Sequence, residues 1–399
     1  MISVEVALER VLATAKPTAP ELVALPAALG RTLAEDVCAR VAHPPADVSA
    51  MDGYAVRAAD TTQPTRLAVI GESAAGRPFA GTLGPGQSTR IFTGAPMPEG
   101  ADTVVMQEDT SRDGGMVVLN AAAVPGKHIR TRGLDFLPGQ AMLRAGQVMG
   151  PRQIALAAAM NVPWLPVRRR PRIAVLSTGD EVVMPGEPVG PAQLVSSNGP
   201  GLAALISVLG GEPVQLGIAA DSRESLSAMV AAAAGCDLLV TSGGASVGDY
   251  DLVQDVLAEN GLKLDFWKIA IRPGKPLMFG MLKSVPVLGL PGNPVSAMVC
   301  AYVFLAPMLR AMLGLEPRLP TATAVLDAPL RANDARQDYV RAELWRDEAG
   351  TLTARPHPRQ DSAVVSGLAA AGALIIRPPH VPEAKPGDTV TVLPLPDSL

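Results

Sequence analysis

The chain has 399 residues, a formal net charge of −4, 48% apolar residues and only 3% aromatics. That length exceeds what one hydrophobic core organises and predicts several domains. No basic block offers a surface to nucleic acid, and no uncharged apolar run reaches the ~18 residues of a membrane span.

In chain order, residues 2–15 read as an amphipathic helix stopped at Lys16-Pro17, with Glu5 and Glu9 arguing against a signal peptide. Residues 54–140 read as β-rich. There RLAVI, STRIFTG, ADTVVMQED and GMVVLNA alternate with turns such as GTLGPGQ and RDGG. A helix follows at 151–160, with Pro151 suited to its first turn. The composition changes at VRRRPRIAVLSTGDE. From there strands RIAVLST, PVQLGIAA, DLLVTSGG and VPVLGLPG alternate with helices NGPGLAALISVLG, RESLSAMVAAAAG, DLVQDVLAENG and a long one from Pro294 to Leu313. That alternation predicts a doubly wound α/β domain on a parallel sheet. After Glu316-Pro317, short strands (TATAVLDA, YVRAELWR, TLTARP, ALIIRPP, DTVTVLP) predict a small terminal β domain.

Cys38, Cys236 and Cys300 stand far apart and match no metal spacing, which points to the reducing cytoplasm. The four histidines form neither a metal pair nor a Ser-His-Asp set, and neither G-x-x-x-x-G-K-[ST] nor a helix-opening G-x-G-x-x-G occurs. Classical nucleotide kinases and dinucleotide oxidoreductases are thereby disfavoured.

Three loops fall at predicted carboxyl ends of strands, where open α/β sheets bind ligands. They are STGDE (Ser177 to Glu181), TSGGASVGDYD, and GLPGNPVS (Gly289 to Ser296). Glycines let backbone N–H groups approach an oxyanion, and the third loop leads into a helix N-terminus. Ser177, Gly179, Ser242, Gly243, Gly244, Ser246 and Asn293 are the ligand-binding candidates. Asp180, Glu181, Asp249 and Asp251 are solvated loop acids, helix caps or Mg²⁺ ligands, a cap and a ligand not being exclusive. Lys268, Arg272 and Lys275 surround the Pro273-Gly274 turn and form either a solvated basic face or an oxyanion site. Asp52 in SAMDGYAV, Thr93-Gly94 and Asp135 in GLDFLPG read by chemistry alone as turn and strand-end residues.

SAMDGYA, FTGAPMPEGADTVV, STGDE, SNGP, TSGGASVGDYD, RPGKPLMFG and GLPGNPVSAM stand here in an order that resembles the molybdopterin molybdenumtransferase (MoeA) family, which includes the E domain of gephyrin. The resemblance spans nearly the whole chain. It implies insertion of molybdate into adenylated molybdopterin, with Mg²⁺-assisted release of AMP, by an elongated homodimer whose active site is shared between subunits. It also implies four domains: a discontinuous N-terminal linker domain (1–45 and 142–170), an inserted β-rich domain (46–141), a molybdopterin-binding type α/β domain (171–316) and a β-barrel-like C-terminal domain (317–399). Catalytic residues carried over by motif are Asp52, Thr93, Glu181, Asp251, Lys268, Arg272 and Lys275. Substrate-binding residues are Asp221, Pro291 and Pro294, with Arg341 and Ser362 from YVRAEL and RQDSAVVS. Asp52, Asp135, Asp180, Asp249 and Asp251 are the expected metal ligands. The pterin and molybdate are the expected partners, with transient contact to the adenylyltransferase and to cofactor acceptors.

The sequence departs from the family in two places. Arg272 stands where the family often has Lys, and Gln360-Asp361-Ser362 replaces a common Q-G-S. Two other readings share some features: the molybdopterin adenylyltransferase, which is usually a single α/β domain, and a non-enzymatic gephyrin-like scaffold, for which no extra linker or partner domain is seen.

Overall fold

The computed structural model describes residues 1–61, 65–243 and 252–395. The chain forms two compact units, residues 1–21 with 168–399, and residues 22–167.

In the first unit, Ser3 caps helix α1 (Val4–Thr14) by accepting from the Val6 N–H at 3.3 Å. Val4, Ala7 and Val11 recur every three to four residues and are all buried. They enter the core of the α/β sheet. The N-terminal helix is thus part of the first compact unit.

Strand β1 (Arg172–Thr178) is buried from Ile173 onward. An apolar run buried on both faces is what a central parallel strand requires. Helix α2 (Asn198–Val208), β2 (Glu212–Ala219), α3 (Arg223–Ala232), β3 (Leu238–Ser242), α4 (Leu252–Glu259), β4 (Leu262–Trp267), β5 (Met278–Leu282) and β6 (Val285–Leu290) follow. The sheet order is β2-β1-β3-β6-β5-β4. The first four strands are mutually parallel, and β5 is antiparallel to both its neighbours, β6 and β4. The sequence reading did not place β4 and β5. Among β4's alternating residues only Phe266 is buried, as suits a sheet edge.

The two-residue period divides the sheet's side chains. Ile173, Val175, Val240 and Leu288 face α2 and the long helix. Ala174, Leu176, Leu239 and Val287 face α3 and α4. The long helix consists of α5 (Pro294–Cys300), a wide turn over Ala301–Leu305 and α6 (Ala306–Met312). These 19 residues are apolar and long enough to cross a membrane, but 83% of the most apolar window is buried inside the protein, which makes this a core helix.

Strands β7 (Ala322–Leu326), β8 (Gln337–Arg346), β9 (Leu352–Pro356), β10 (Ala373–Arg377) and β11 (Thr389–Pro394) close into a ring in the order β8-β9-β7-β11-β10-β8. Closure removes the exposed edges that a small sheet would present. Leu326, Ala342, Ile375 and Val392 fill this barrel. Tyr339, Leu374 and Leu393, on the alternate face, join the α/β core. Barrel and sheet thus share one buried cluster.

In the second unit a six-stranded sheet runs, in spatial order, Thr103–Met106, Gly53–Val56, Gln87–Ile91, Thr65–Ser73, Met116–Leu119 and Thr110–Asp113. Gly53 is required at its centre, because a Cβ there would lie 1.9 Å from the Val105 carbonyl oxygen. Tyr54, Leu67, Val105 and Val117 form its core. A separate cluster of Leu33, Phe136, Leu143 and Met160 packs beside the helix Pro151–Ala159.

Candidate functional site

The carboxyl ends of β1, β3 and β6 lie level. Ser177 pairs in register with Ser242, and Ser242 with Leu290. The three loops leaving them border a cleft of about 1180 Å³. This is the crevice in which open α/β sheets hold ligands.

Backbone approach explains the glycines. Gly243 adopts φ +96°, and a Cβ on it would lie 2.7 Å from the Thr178 carbonyl oxygen. Gly179 adopts φ +126°, and a Cβ there would meet the Glu181 carboxylate at 2.4 Å. The close approach of the second loop to the first therefore depends on Gly243 having no side chain, and Gly179 leaves room for Glu181 within the first loop. Asn198, opening α2, binds the second loop to the third. Its Nδ2 donates to Ser242 Oγ at 2.7 Å and to the Gly292 carbonyl at 2.8 Å.

The third loop enters α5 through Asn293 and Pro294, the latter in the first turn where its missing N–H costs nothing. Asn293 Nδ2 donates to Ser362 Oγ at 2.9 Å, and the Val295 N–H donates to the Ser362 carbonyl at 3.1 Å. Asp361, the residue that departs from Q-G-S, accepts from the Ala363 N–H at 2.8 Å and so caps the turn around Ser362.

One wall of the cleft is acidic. Asp180 Oδ1 accepts from the Asp221 N–H at 2.9 Å. Partial desolvation of this otherwise exposed residue, followed by the Asp180 and Glu181 charges, raises the Asp221 carboxyl above its ordinary value. Among the described residues the only lysine or arginine lining the cleft is Arg223.

Of the sequence candidates, Ser177, Gly179, Glu181, Asp221, Ser242, Gly243, Pro291, Asn293 and Pro294 line this cleft. Ser362 adjoins it through Asn293. Gly244, Ser246, Asp249 and Asp251 lie outside the described residues. Lys268 places its Nζ 4.2 Å above the Trp267 ring, and Lys275 is exposed. Neither is among the lining residues.

Two of the carried-over arginines are bound by protein groups. Arg272 does not aim its guanidinium into the cleft. Its Nε donates to Asp338 at 2.7 Å, its Nη1 to Asp334 at 3.0 Å, and its Nη2 to Asn333 at 2.8 Å and to Asp338. The fork is thus occupied by two carboxylates of the C-terminal region, which leaves its charge neutralised locally. Arg341 too is engaged by the protein. It is 1% exposed and donates to the carbonyls of Val364 at 2.8 Å, Asp361 at 2.9 Å and Arg359 at 3.1 Å. It holds the loop that carries Ser362.

Asp52, Thr93 and Asp135 belong to the second unit. Asp52 Oδ1 accepts from the Thr93 N–H at 2.8 Å and from its hydroxyl at 2.7 Å, which holds the carboxyl below its usual range. Asp135 lines a cavity of about 600 Å³ with His43, Gly94 and Arg130. Among the described residues no three His, Cys, Asp or Glu side chains converge on a metal position.

Asn198 and Arg223 were not singled out from sequence. For Asn198 the available signal was its place in SNGP, an amide and a Gly-Pro opening a helix directly after a strand. Arg223 stands two residues past Asp221, in the first turn of a helix, where sequence alone reads as an ordinary surface position.

Comparison with known proteins identifies this architecture. Residues 2–161 match the model of the MoeA N-terminal region (domain I and II), 174–311 that of a probable molybdopterin binding domain, and 323–395 that of the MoeA C-terminal region (domain IV). A molybdopterin molybdenumtransferase from Nostoc sp. is 38% identical, with 94% of this chain and 89% of that protein covered. The chain belongs to the MoeA family. Another family member, the molybdopterin molybdenumtransferase of Haemophilus influenzae, is 35% identical over 95% of this chain and 94% of its own length. A crystal structure of a molybdopterin biosynthesis MoeA protein from Pyrococcus horikoshii superposes with a TM-score of 0.89 at 34% identity, covering 99% of both chains. The MoeA models meet the fold at its composition changes, and the molybdopterin-binding match covers the sheet whose loops form the cleft.

Proposed function

We propose that this chain is a transferase of molybdenum cofactor biosynthesis, a molybdopterin molybdenumtransferase. It binds adenylated molybdopterin and molybdate, places the metal on the dithiolene sulfurs and releases AMP. The observation that carries this reading is the convergence of three glycine-bearing loops, bound together by Asn198, on one cleft of about 1180 Å³ in a chain of this family.

Phosphoanhydride cleavage needs positioning and charge neutralisation more than a covalent nucleophile. The loops offer backbone N–H groups, and the first turn of α5 offers the positive end of a helix. The acidic wall suits Mg²⁺. Asp221 is held partly against ionisation by Asp180 and Glu181, and a cation relieves that repulsion. A pair of carboxylates suits an ion that takes most of its ligands from water and substrate oxygens. Bound there, Mg²⁺ supplies charge neutralisation to phosphate oxygens. Asp180 and Asp221 are its proposed holders, with Glu181 beside them. The substrate brings its own thiolates, so no cysteine or histidine cluster is needed for molybdenum. Asp52, Thr93, Asp135, Lys268 and Lys275 keep their family roles as proposals, as do a homodimeric state, a cytoplasmic location and contacts with the adenylyltransferase and cofactor acceptors.

The test is incubation with adenylated molybdopterin and molybdate. AMP release supports the transferase. Formation of adenylated product from ATP and molybdopterin instead supports the adenylyltransferase.

A further inference from the structure

We propose that Arg223 binds the phosphate of the nucleotide portion of the substrate, exchanging its surface acids for that anion. The assignment rests on the function proposed above.

Beside Mg²⁺ and backbone N–H groups, a phosphate-bearing ligand gains from a protein cation in a cleft whose other described charged lining residues, Glu181, Asp221 and Asp255, are all acidic. The sequence of residues 244–251, GASVGDYD, contains no lysine or arginine. Arg272 is committed to Asp338 and Asp334, Lys268 sits on Trp267, and Lys275 does not line the cleft. Arg223 remains as the cation of the described lining.

Its position suits exchange. Arg223 opens α3, which Ser222 caps by accepting from the Ser225 N–H at 3.2 Å. The backbone beneath the guanidinium is therefore fixed. The guanidinium pairs with Glu259 and lies 3.6 Å from Asp255, both on α4. Its side chain is 54% exposed, and those of Asp255 and Glu259 are 67% and 57% exposed. Ion pairs this exposed are weak and screened by salt. A guanidinium–phosphate contact is charge-assisted and can be bidentate, so a phosphate in the cleft competes well for the same fork. Without ligand, Glu259 and Asp255 hold the guanidinium near the cleft; with ligand they release it.

The experiment measures AMP and adenosine binding by calorimetry at low salt, in the wild type, Arg223→Gln, Arg223→Lys and Glu259→Gln, with circular dichroism to verify folding. The expected result is AMP binding weakened about tenfold in Arg223→Gln and less in Arg223→Lys, with adenosine binding unchanged. Glu259→Gln, which removes a competitor, tightens AMP two- to threefold. AMP affinity equal in wild type and Arg223→Gln rejects the assignment and leaves the proposed function standing. A wild type that binds no AMP and releases none from adenylated molybdopterin overturns both.

Discussion

Substituting Gly243 by alanine tests whether contact between the first two loops shapes the site. Two separate costs apply. An L-residue forced to a left-handed φ of +96° loses about 1–2 kcal/mol, offset by the about 0.4–1 kcal/mol that alanine returns by stiffening the unfolded chain. The new Cβ also meets the Thr178 carbonyl oxygen at 2.7 Å, well inside ordinary contact, which begins near 3.4 Å. The atom struck is backbone of β1, so it cannot rotate away, and overpacking of that kind costs about 1–3 kcal/mol. Gly243→Ala should therefore destabilise by about 2–4 kcal/mol. Gly186 provides the control. Its φ is +95°, it is exposed, and a Cβ there meets nothing within 4 Å. Gly186→Ala should cost at most about 1.5 kcal/mol, since only the backbone cost applies. Urea unfolding of both variants beside wild type measures the difference, and AMP affinity should fall only in Gly243→Ala. Equal destabilisation in the two variants would refute the close-approach argument.

Three further outcomes follow from the same geometry. Asp221→Asn should abolish most AMP release yet raise thermal stability at pH 7. The folded carboxyl is raised, so its ionisation penalises the fold; the variant's advantage should shrink as pH falls through the aspartate range and vanish below the unfolded pKa of about 3.9, checked by melting curves across pH. Arg272→Ala removes the fork that neutralises Asp338 (side chain 15% exposed) and, with the Arg272 side chain itself 41% exposed, should destabilise by roughly 1–3 kcal/mol, whereas half-saturating molybdate, in whatever activity remains, should be unchanged; a large molybdate shift without loss of stability would return Arg272 to the oxyanion site. Arg341→Met removes three donor contacts to carbonyls and should loosen the 359–364 loop, lowering unfolding free energy by about 2–4 kcal/mol in urea; an unaltered stability would contradict its role as a clamp.

The sequence carried the sheet because burial and local spacing coincide there. RIAVLST is one strand from Arg172 to Thr178, and its two-residue period sorts side chains to opposite faces. The glycine loops were legible for the same reason, since strand and loop are adjacent in the chain. What stayed hidden depends on partners distant in sequence. Around Pro273-Gly274 the spacing shows three cations, but nothing local reveals that Asp338, 66 residues on, takes the Arg272 fork. Nothing local to YVRAEL shows that the fold buries Arg341 among the carbonyls of Arg359, Asp361 and Val364. Asn198 shows the same limit, because its two acceptors, Ser242 and Gly292, come from loops 44 and 94 residues away. Helix α1 reads from sequence only as an amphipathic helix, and packing assigns Val4, Ala7 and Val11 to the α/β core.

The most direct test is a discontinuous assay of AMP formed by the purified protein from adenylated molybdopterin, with and without molybdate, at limiting and saturating Mg²⁺. The account predicts AMP release that requires both molybdate and Mg²⁺ and leaves molybdenum on the pterin dithiolene. Intact adenylated molybdopterin after prolonged incubation with both present would contradict it.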